Sequence, residues 1–261
     1  MEIIYSKNIS QLEPIPNSTK FRHKLTLGDV TLFDGKIDVV AAIRGYRLPD
    51  NFFVGKRVLD IGAWSGGFSF YFELLGAEVL AVDVMSPADS GFNRIQNHFG
   101  FEAHFERKAI YDLDPSEDGL FDVVFYQGVF YHLKHPLLAM ERINAVLKTG
   151  GTLVGGGTSS DIYFNNAGRS INISKESLYA NSFPLAFFVR DDFLGDRSNW
   201  WIPNEACCEA WLKRSGFTVK EIWTREGGRS LSGEPRTVTR FVATKIADPE
   251  PEHPFMSQIE G

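Results

Sequence analysis

Residues 57–67 read Arg57-Val-Leu-Asp-Ile-Gly-Ala-Trp-Ser-Gly-Gly67, an apolar run that ends in a glycine-rich turn. A short apolar run without polar alternation is typical of a strand buried on both faces of a parallel sheet. Beyond the turn, apolar residues at helical spacing predict a helix over 65–75, and Gly76 ends it. A strand, a glycine turn and a helix in this order favour a ligand bound where the strand ends.

The alternation of strand and helix continues along the chain. We predict further strands over 78–82, 103–110, 121–129 and 152–156, and helices over 87–99 and 136–148. A helix over 204–215 precedes two strands, 217–223 and 237–244, which predict an antiparallel pair at one edge of the sheet. Strands that alternate with helices at short intervals indicate a parallel sheet covered on both faces. The predicted fold class is therefore α/β, with a doubly wound, mostly parallel sheet of seven strands.

The less regular segments define a predicted domain organisation. Residues 1–50 form an N-terminal segment or cap, with a hairpin over 24–33. Residues 51–246 form the main domain, and the aromatic segment 158–202 is inserted into it as an acceptor-binding cap. The proline-containing tail, 247–261, is predicted to be disordered.

The composition bears on the kind of ligand. Aromatic residues make up 13% of the chain, with 22 Phe and 5 Trp, which suits a large core or a pocket for a flat ligand. The net charge is −6, so the chain lacks the global basic footprint that nucleic-acid binding favours. A small molecule is therefore the favoured partner, and nucleic acid the less favoured one.

Cysteine usage and hydropathy bear on location. Cys207 and Cys208 are adjacent, which argues against an ordinary structural disulfide, and paired metal-ligand spacing is absent. The residues after Met1 show no signal-peptide pattern, and no run reaches the roughly 18 apolar residues that a membrane-spanning helix needs. We expect a cytoplasmic protein with reduced thiols, no metal centre and no membrane partner.

Two features define the predicted ligand end of the sheet. Gly62 allows a sharp turn and close approach of the backbone to a ligand, and Gly66 lies where the next helix begins. Trp64 interrupts the G-x-G-x-x-G spacing, so no pyrophosphate-binding loop is predicted. Asp83 ends the second strand about 20 residues beyond the first glycine, where a carboxylate can accept hydrogen bonds from ribose hydroxyls. The alternative for Asp83 is an ordinary turn residue at a strand end.

Several longer motifs follow the known order of one superfamily. They are Val58-Leu-Asp-Ile-Gly62, Gly76-Ala-Glu-Val-Leu-Ala-Val-Asp83, Phe121-Asp-Val-Val-Phe125, Gly128-Val-Phe-Tyr-His132 and Leu147-Lys-Thr-Gly-Gly-Thr-Leu-Val154. The chain thereby resembles the class I S-adenosyl-L-methionine (SAM)-dependent methyltransferases, which implies a Rossmann-like methyltransferase fold. Three further segments resemble the branch that contains the bacterial tRNA wobble-uridine carboxymethyltransferases: Gly128-Val-Phe-Tyr-His-Leu-Lys-His-Pro136, Trp200-Trp-Ile-Pro203 and Trp211-Leu-Lys-Arg-Ser-Gly-Phe217. The resemblance covers roughly residues 20–246.

The resemblance implies a set of SAM-contacting residues. Gly62 would lie against the amino-acid part of SAM and Asp83 would hold its ribose. The full predicted set is Asp60, Gly62, Ala63, Trp64, Gly66, Asp83, Val84, Met85, Ala109, Ile110, Gln127 and Tyr131. Of these, the pairs Val84–Met85 and Ala109–Ile110 would line the adenine slot. The chain departs from the branch at Gln127, where a methionine is usual, and at Trp64, where a glycine is usual.

Candidate acceptor-binding residues come partly from the resemblance. Arg240 matches a basic position that helps to bind the extra carboxylate in the carboxymethyl enzymes, and Lys36 and Arg197 match other basic positions of the branch. Asp161 and Tyr163 follow the fifth strand, where acceptor-binding loops usually lie; the alternative is a solvated loop. The aromatic run that includes Trp200 can stack on a flat acceptor or pack as a lid.

His132 is the first candidate for a general base, because it follows the fourth strand and histidine titrates near neutral pH. The alternative is a structural histidine bonded to backbone. Tyr131 is a second catalytic candidate that would touch cofactor or acceptor.

The favoured function is transfer of a methyl group from SAM to an O or N atom of a small molecule. The alternatives are wobble-uridine modification of tRNA with carboxy-SAM, and a non-catalytic SAM-binding protein. The acceptor and the oligomeric state stay open at this point.

Overall fold

A computed structural model describes residues 5–8, 11–16, 20–160, 163–166, 169–172, 183–229, 233 and 235–250. The strands are β1 Lys20–Leu27, β2 Val30–Asp38, β3 Arg57–Ile61, β4 Glu78–Asp83, β5 His104–Arg107, β6 Phe121–Gln127, β7 Leu147–Ser159, β8 Tyr163–Asn166, β9 Arg169–Asn172, β10 Ala186–Phe188, β11 Trp201–Pro203, β12 Phe217–Arg229 and β13 Pro235–Lys245. The α-helices are α1 Val39–Arg44, α2 Gly67–Leu74, α3 Phe92–Phe99, α4 Pro115–Asp118, α5 Pro136–Val146 and α6 Glu205–Arg214. Short 3₁₀ helices cover Ile110–Asp112 and Phe130–His132.

Seven of these strands form one sheet, in the order β12-β13-β7-β6-β3-β4-β5. Strand β4 pairs in parallel with both β3 and β5, whereas β13 runs antiparallel to both β7 and β12. The strand order reverses at β3, which is the first strand of the sheet along the chain and has β4 on one side and β6 on the other. The doubly wound, mostly parallel seven-stranded sheet with an antiparallel end is therefore confirmed.

By its internal contacts the chain divides into two compact units. The first comprises Met1–Leu113 and Glu117–Phe125, and the second comprises Asp114–Ser116 and Tyr126–Gly261. Strands β1 to β5 and the greater part of β6 lie in the first unit. Strands β7 to β13 lie in the second.

The core of the first unit is aromatic. The rings of Phe53 and Phe72 stack at 4.4 Å between centroids, and Phe125 of β6 lies 4.8 Å from Phe68 and 5.1 Å from Phe72. All four side chains are buried. Aromatic pairs of this kind contribute about 0.5–1.5 kcal/mol each beyond the area they bury. Many of the phenylalanines in the sequence therefore build a core and do not line a pocket.

In the second unit, the C-terminal helix begins as predicted. Asn204 is the N-cap of α6, and its side chain accepts a hydrogen bond from the backbone N–H of Cys207 at 2.8 Å. After α6, the side chain of Asn144 donates to the carbonyl of Ser215, and Lys245 donates to the carbonyl of Asn144. These bonds join α5 to the end of α6 and to β13.

Several predicted elements differ from the structure in their bounds. The helix predicted over 87–99 begins only at Phe92, because Gly91 adopts a left-handed conformation with φ of 84° and interrupts the helical path. The third strand is shorter than predicted and ends at Arg107. The fifth strand is longer and reaches Ser159, because its pairing with β13 continues to that residue.

Candidate functional site

The glycine-rich turn after β3 is held against the end of β4. Gly62 has a φ of 76°, a left-handed conformation that glycine adopts at little cost. The N–H groups of Gly62 and Ala63 both donate to the carbonyl of Val82, at 2.8 and 3.2 Å. The backbone of the turn is thereby fixed at the carboxyl ends of β3 and β4, the place where open α/β sheets bind ligands.

The next two glycines are required by close packing. A Cβ on Gly66 would lie 2.5 Å from the ring of Phe92, and a Cβ on Gly67 would lie 2.3 Å from Cβ of His23. Gly66 also has a φ of 75°. Only glycine fits these positions without a shift of its neighbours.

His23 reaches the turn from the N-terminal hairpin. Its Nδ1 accepts a hydrogen bond from the N–H of Gly67 at 3.2 Å and lies 3.3 Å from Oγ of Ser65. Burial lowers the pKa of His23 to about 3, so the ring is neutral at physiological pH. His23 and Ser65 therefore help to set the shape of the glycine turn.

Trp64 occupies a strained position at the tip of the turn. Its φ is 46°, a left-handed conformation that costs a non-glycine residue about 1 kcal/mol or more. Its N–H donates to Oδ2 of Asp83 at 2.8 Å, which holds the conformation in place. The indole is 39% exposed, and the guanidinium of Arg22 lies 5.2 Å from its centre.

Asp83 accepts backbone hydrogen bonds with both carboxylate oxygens. Oδ2 accepts from Trp64 and Oδ1 accepts from the N–H of Met85 at 2.9 Å. Each carboxylate oxygen can accept a second hydrogen bond. Asp83 can thus organise the loops after β3 and β4 and still accept from two further hydroxyl groups.

Asp60 is a buried carboxyl group near Asp83. It accepts a hydrogen bond from Oγ of Ser69 at 2.6 Å. Burial, together with the negative charge of Asp83, raises the pKa of Asp60 to about 7, against the opposing effect of the hydrogen bond from Ser69. Asp60 therefore changes its charge in the physiological pH range.

We expect Asp60 to make the stability of the protein pH-dependent. Its pKa rises from 3.8 to about 7 on folding, so the folded state retains a proton over this range that the unfolded state loses. The free energy of unfolding should therefore decrease as the pH rises from about 4 to about 7, by up to about 4 kcal/mol, and stay level above that range. Urea unfolding of wild type and Asp60→Asn over this range tests the effect.

The Asp60→Asn variant should lose this decrease, and it should gain stability relative to wild type as the pH rises. Asp89→Asn, which changes an exposed carboxyl group, is the control and should follow wild type. If the free energy of unfolding changed with pH in the same way in Asp60→Asn and in wild type, the pH dependence would not be due to Asp60.

The residues predicted to line the adenine slot lie close together. Val84 is 66% exposed, and Met85 follows it in the loop after β4. The N–H of Lys108 donates to the carbonyl of Asp83 at 3.1 Å, which brings the following residues Ala109 and Ile110 alongside this loop. The first unit thus assembles ten of the predicted SAM-contacting residues around the ends of β3, β4 and β5.

The other two predicted SAM-contacting residues, Gln127 and Tyr131, belong to the second unit. Gln127 is the last residue of β6, and the N–H of Gly128 donates to the carbonyl of Gly156 on β7 at 2.7 Å. Tyr131 is buried, and a Cβ on Gly157 would lie 2.7 Å from its ring. Tyr131 therefore packs directly on β7.

His132 lies at the end of the 3₁₀ helix that carries Tyr131. Its Nδ1 is 2.9 Å from Oγ of Ser198, and this hydroxyl donates to Oδ1 of Asp196 at 2.5 Å. The N–H of Trp200 donates to the carbonyl of Tyr131 at 2.8 Å. Ser198 and Asp196 were not predicted as site residues, because nothing local in the sequence links them to His132, which lies 66 positions before Ser198.

The predicted acceptor-binding residues are dispersed. Lys36 lies exposed on β2 of the first unit, and Arg197 lies exposed in the second. Arg240 is only 5% exposed and lies on β13 opposite Gly156. Asp161 falls outside the described residues, as do residues 251–261 of the predicted tail. Of Tyr163, the structure describes only the backbone, as the first residue of β8.

Trp200 belongs to an exposed aromatic group in the second unit. The indole of Trp200 is 37% exposed, and its centre lies 6.3 Å from that of Phe188, whose side chain is 52% exposed. Nζ of Lys134 lies 5.6 Å from the Trp200 ring. The arrangement presents aromatic faces together with one positive charge.

Comparison with known proteins shows similarity that is strongest in the central region of the chain. Residues 59–155 match a family model described as a methyltransferase domain. Among curated proteins, the chain is 29% identical over 195 residues to a tRNA U34 carboxymethyltransferase of Desulforapulum autotrophicum, which covers 74% of this chain and 53% of that protein. It is 30% identical over 166 residues to the same enzyme of Pseudomonas aeruginosa, which covers 62% of this chain and 45% of that protein. The chain thus spans about half the length of these relatives.

Solved structures with the same fold are more distant in sequence. One is the 1,6-didemethyltoxoflavin-N1-methyltransferase of Burkholderia thailandensis, solved with S-adenosylhomocysteine, at a TM-score of 0.55, 18% identity and coverage of 80% of this chain and 77% of that one. Another is a SAM-dependent methyltransferase of Methanosarcina mazei, at a TM-score of 0.57, 19% identity and coverage of 81% and 100%. In the described part of the chain, no helix has both the length and the apolar character needed to cross a membrane.

Proposed function

We propose, on the premise that this chain carries a methyltransferase domain with the class I SAM-dependent fold, that it transfers a methyl group from SAM to an O or N atom of a small-molecule acceptor. The observation that carries the proposal is the geometry of the turn after β3. There Gly62 adopts a left-handed conformation, and the carboxylate of Asp83 accepts two backbone hydrogen bonds. Both residues lie at the carboxyl ends of two parallel strands, where open α/β sheets bind ligands.

The residues of the first unit suit a ligand with the chemistry of SAM. Asp83 retains acceptor capacity on both oxygens for the two ribose hydroxyls. Asp83 is close enough to Asp60 for its negative charge to raise the pKa of Asp60, so a ligand with net positive charge, such as SAM, reduces the repulsion between the two groups. When bound, SAM supplies an electrophilic methyl group, and the bond from this carbon to sulfur breaks as the bond to the acceptor atom forms, with its electron pair left on sulfur.

The residues of the chain have separate tasks in this proposal. Asp83 orients the donor, and the loop around Gly62 allows close approach of its amino-acid part. His132 accepts the proton that an acceptor hydroxyl or amine loses on methylation. Such proton transfer contributes about 10²- to 10⁴-fold to the rate in enzymes that use it.

Several observations favour a small acceptor. The exposed rings of Phe188 and Trp200 are suited to stacking against a flat molecule. In the same segment, the charged side chains of Arg190, Asp191, Asp192, Asp196 and Arg197 include more acids than bases, which disfavours a polyanion such as tRNA. We further propose that residues 158–202 act as an acceptor-binding cap.

The second candidate function is tRNA wobble-uridine modification with carboxy-SAM. The names of the curated relatives and the buried guanidinium of Arg240 favour it, because a buried arginine is suited to binding a carboxylate. The partial coverage of those relatives weakens the inference from their names.

Ligand analysis and an acceptor screen separate these functions. Mass spectrometry of ligand released from the purified protein should detect SAM or S-adenosylhomocysteine, and isothermal titration should show binding of SAM. Incubation with SAM and a panel of phenols, amines and hydroxy acids should give a product heavier by one methyl group. Release of carboxy-SAM, or modification of unmodified tRNA alone, would replace the small-molecule proposal. SAM binding without transfer to either class of acceptor would favour a non-catalytic protein.

A further inference from the structure

A chain of hydrogen bonds links an acid, a hydroxyl and the candidate base within the second unit. Oδ1 of Asp196 lies 2.5 Å from Oγ of Ser198, and Oγ lies 2.9 Å from Nδ1 of His132. The N–H of Ser198 also donates to Oδ1 of Asp196 at 2.9 Å. The three side chains therefore form one continuous line that ends at the imidazole ring.

The position of each hydrogen follows from this geometry. A serine hydroxyl 2.5 Å from a carboxylate oxygen must place its single hydrogen between the two oxygens, so Ser198 donates to Asp196. Oγ then offers only lone pairs to His132, and the bond between them has Nδ1–H as its donor. A neutral imidazole with its hydrogen on Nδ1 has none on Nε2, so Nε2 is the nitrogen that can accept a proton.

The loop that carries Asp196 and Ser198 is built to hold this line. Leu194 and Gly195 both have positive φ, 55° and 78°, as in the two-residue turns that join antiparallel strands. On either side of this turn, Phe193 and Asp196 exchange backbone hydrogen bonds. The buried side chain of Asn199 donates to the carbonyls of both residues. The strained conformation of Leu194 is thus secured by its surroundings.

The same segment is attached to the backbone beside His132. The N–H of Trp200 donates to the carbonyl of Tyr131, and Nε1 of Trp201 donates to the carbonyl of Lys134 at 3.1 Å. Hydrogen bonds to the carbonyl groups of Tyr131 and Lys134, before and after His132 in the chain, therefore fix the distance from Ser198 to His132. Trp200, which makes one of these bonds, also lies beside Phe188, with 6.3 Å between the ring centres.

We propose that Ser198 and Asp196 are positioning residues that hold His132 as the Nδ1–H tautomer, and that its Nε2 takes the proton of a phenolic hydroxyl on a flat acceptor. The proposal rests on the proposed methyltransferase function and names its acceptor class. The proton leaves the phenol oxygen for Nε2, and the resulting imidazolium is stabilised through Ser198 by the Asp196 carboxylate. The neighbouring exposed aromatic faces suit the ring of a phenol.

The tautomer of His132 can be measured without any acceptor. In ¹⁵N-histidine-labelled protein above neutral pH, long-range proton–nitrogen correlation spectra distinguish Nδ1–H from Nε2–H rings, and loss of one signal set in His132→Asn assigns the residue. We expect wild type to show the Nδ1–H form at His132. Ser198→Ala should shift the ring towards the Nε2–H form, whereas Ser198→Thr, which retains the hydroxyl, should restore the wild-type pattern.

The chain contains a matched control. Ser116 donates through both Oγ and N–H to Oδ1 of Asp114, at 2.6 and 2.7 Å, which repeats the turn at Asp196 without a histidine. Ser116→Ala should leave the His132 spectrum unchanged. An Nε2–H ring in wild type, or the same tautomer in wild type and Ser198→Ala, would overturn the positioning role whatever reaction the protein performs.

Kinetics test the acceptor class separately. With alkylphenols, which are protonated at neutral pH, Ser198→Ala should lower kcat/KM roughly three- to tenfold, a modest effect because Ser198 is exposed. With 2,4- and 2,6-dinitrophenol, which are ionised at neutral pH and need no base, kcat/KM should not change. Equal losses with both groups would overturn the role of Ser198 in proton transfer. If the tautomer behaves as expected but no phenol is methylated, the phenolic acceptor is rejected and the positioning of His132 stands.

Discussion

Asp83→Ala is expected to weaken SAM binding at least tenfold, as measured by isothermal titration. The substitution removes the acceptors proposed for the two ribose hydroxyls, and hydrogen bonds to a charged group are each worth about 1.5–3 kcal/mol. It also leaves the N–H groups of Trp64 and Met85 without their acceptor. Because Trp64 has a left-handed conformation that this bond helps to hold, the glycine turn should lose its shape as well.

Two variants separate these contributions. Asp83→Asn retains one acceptor oxygen and loses the other, so its affinity for SAM should lie between those of wild type and Asp83→Ala. Asp89→Ala removes a carboxylate that accepts a hydrogen bond from Oγ of Ser86 in the same loop, and it should bind SAM as wild type does. Unchanged affinity in Asp83→Ala, with a thermal unfolding curve that shows a folded protein, would contradict the ribose role.

The glycine turn was predictable from sequence because its constraints are local. Each constraint restricts the residue type at its own position: a buried strand requires apolar residues, a positive φ favours glycine, and the end of the next strand carries an acid. The register of β3 against β4, with Ile61 opposite Val82, then brings the turn and Asp83 together. The doubly wound, mostly parallel sheet followed from the alternation of strands and helices along the chain.

The supporting contacts were not predictable, because they join distant parts of the chain. His23 meets Gly67 across 44 positions, and Ser198 meets His132 across 66. A serine in a polar loop has no local pattern that distinguishes it from its neighbours. The three-dimensional path of the loop, with its turn at Leu194 and Gly195, is what places the hydroxyl beside the ring.

Trp64 shows where residue type and conformation disagree. In the sequence, Trp64 is a departure from the branch at a position where glycine is usual. The structure places it at a φ of 46°, where glycine would be less strained, and secures it by a hydrogen bond to Asp83. The preference of positive φ for glycine is therefore not followed at Trp64, which lies at the predicted ligand site. Strained residues tend to occur at such sites.

His132→Asn is expected to lower kcat for methylation of an alkylphenol by about 10²-fold or more, with SAM affinity unchanged. Asparagine can still donate to Ser198 from its amide nitrogen, but it cannot accept a proton near neutral pH. Positioned general bases contribute about 10²- to 10⁴-fold to the rate, which sets the size of the loss. Single-turnover rates, together with titration of SAM into each protein, separate proton transfer from donor binding.

The acceptor series decides between a base and a structural histidine. If His132 is the base, its loss should affect alkylphenols strongly and 2,4- and 2,6-dinitrophenol little, because these dinitrophenols have already lost their proton at neutral pH. A structural histidine predicts equal losses with both groups, a lower unfolding temperature and weaker SAM binding. His135→Asn is the control, since His135 lies exposed three residues further on and should retain wild-type rates. Full activity of His132→Asn with alkylphenols would assign proton transfer to another group, and Tyr131, the preceding residue, would be the next to test.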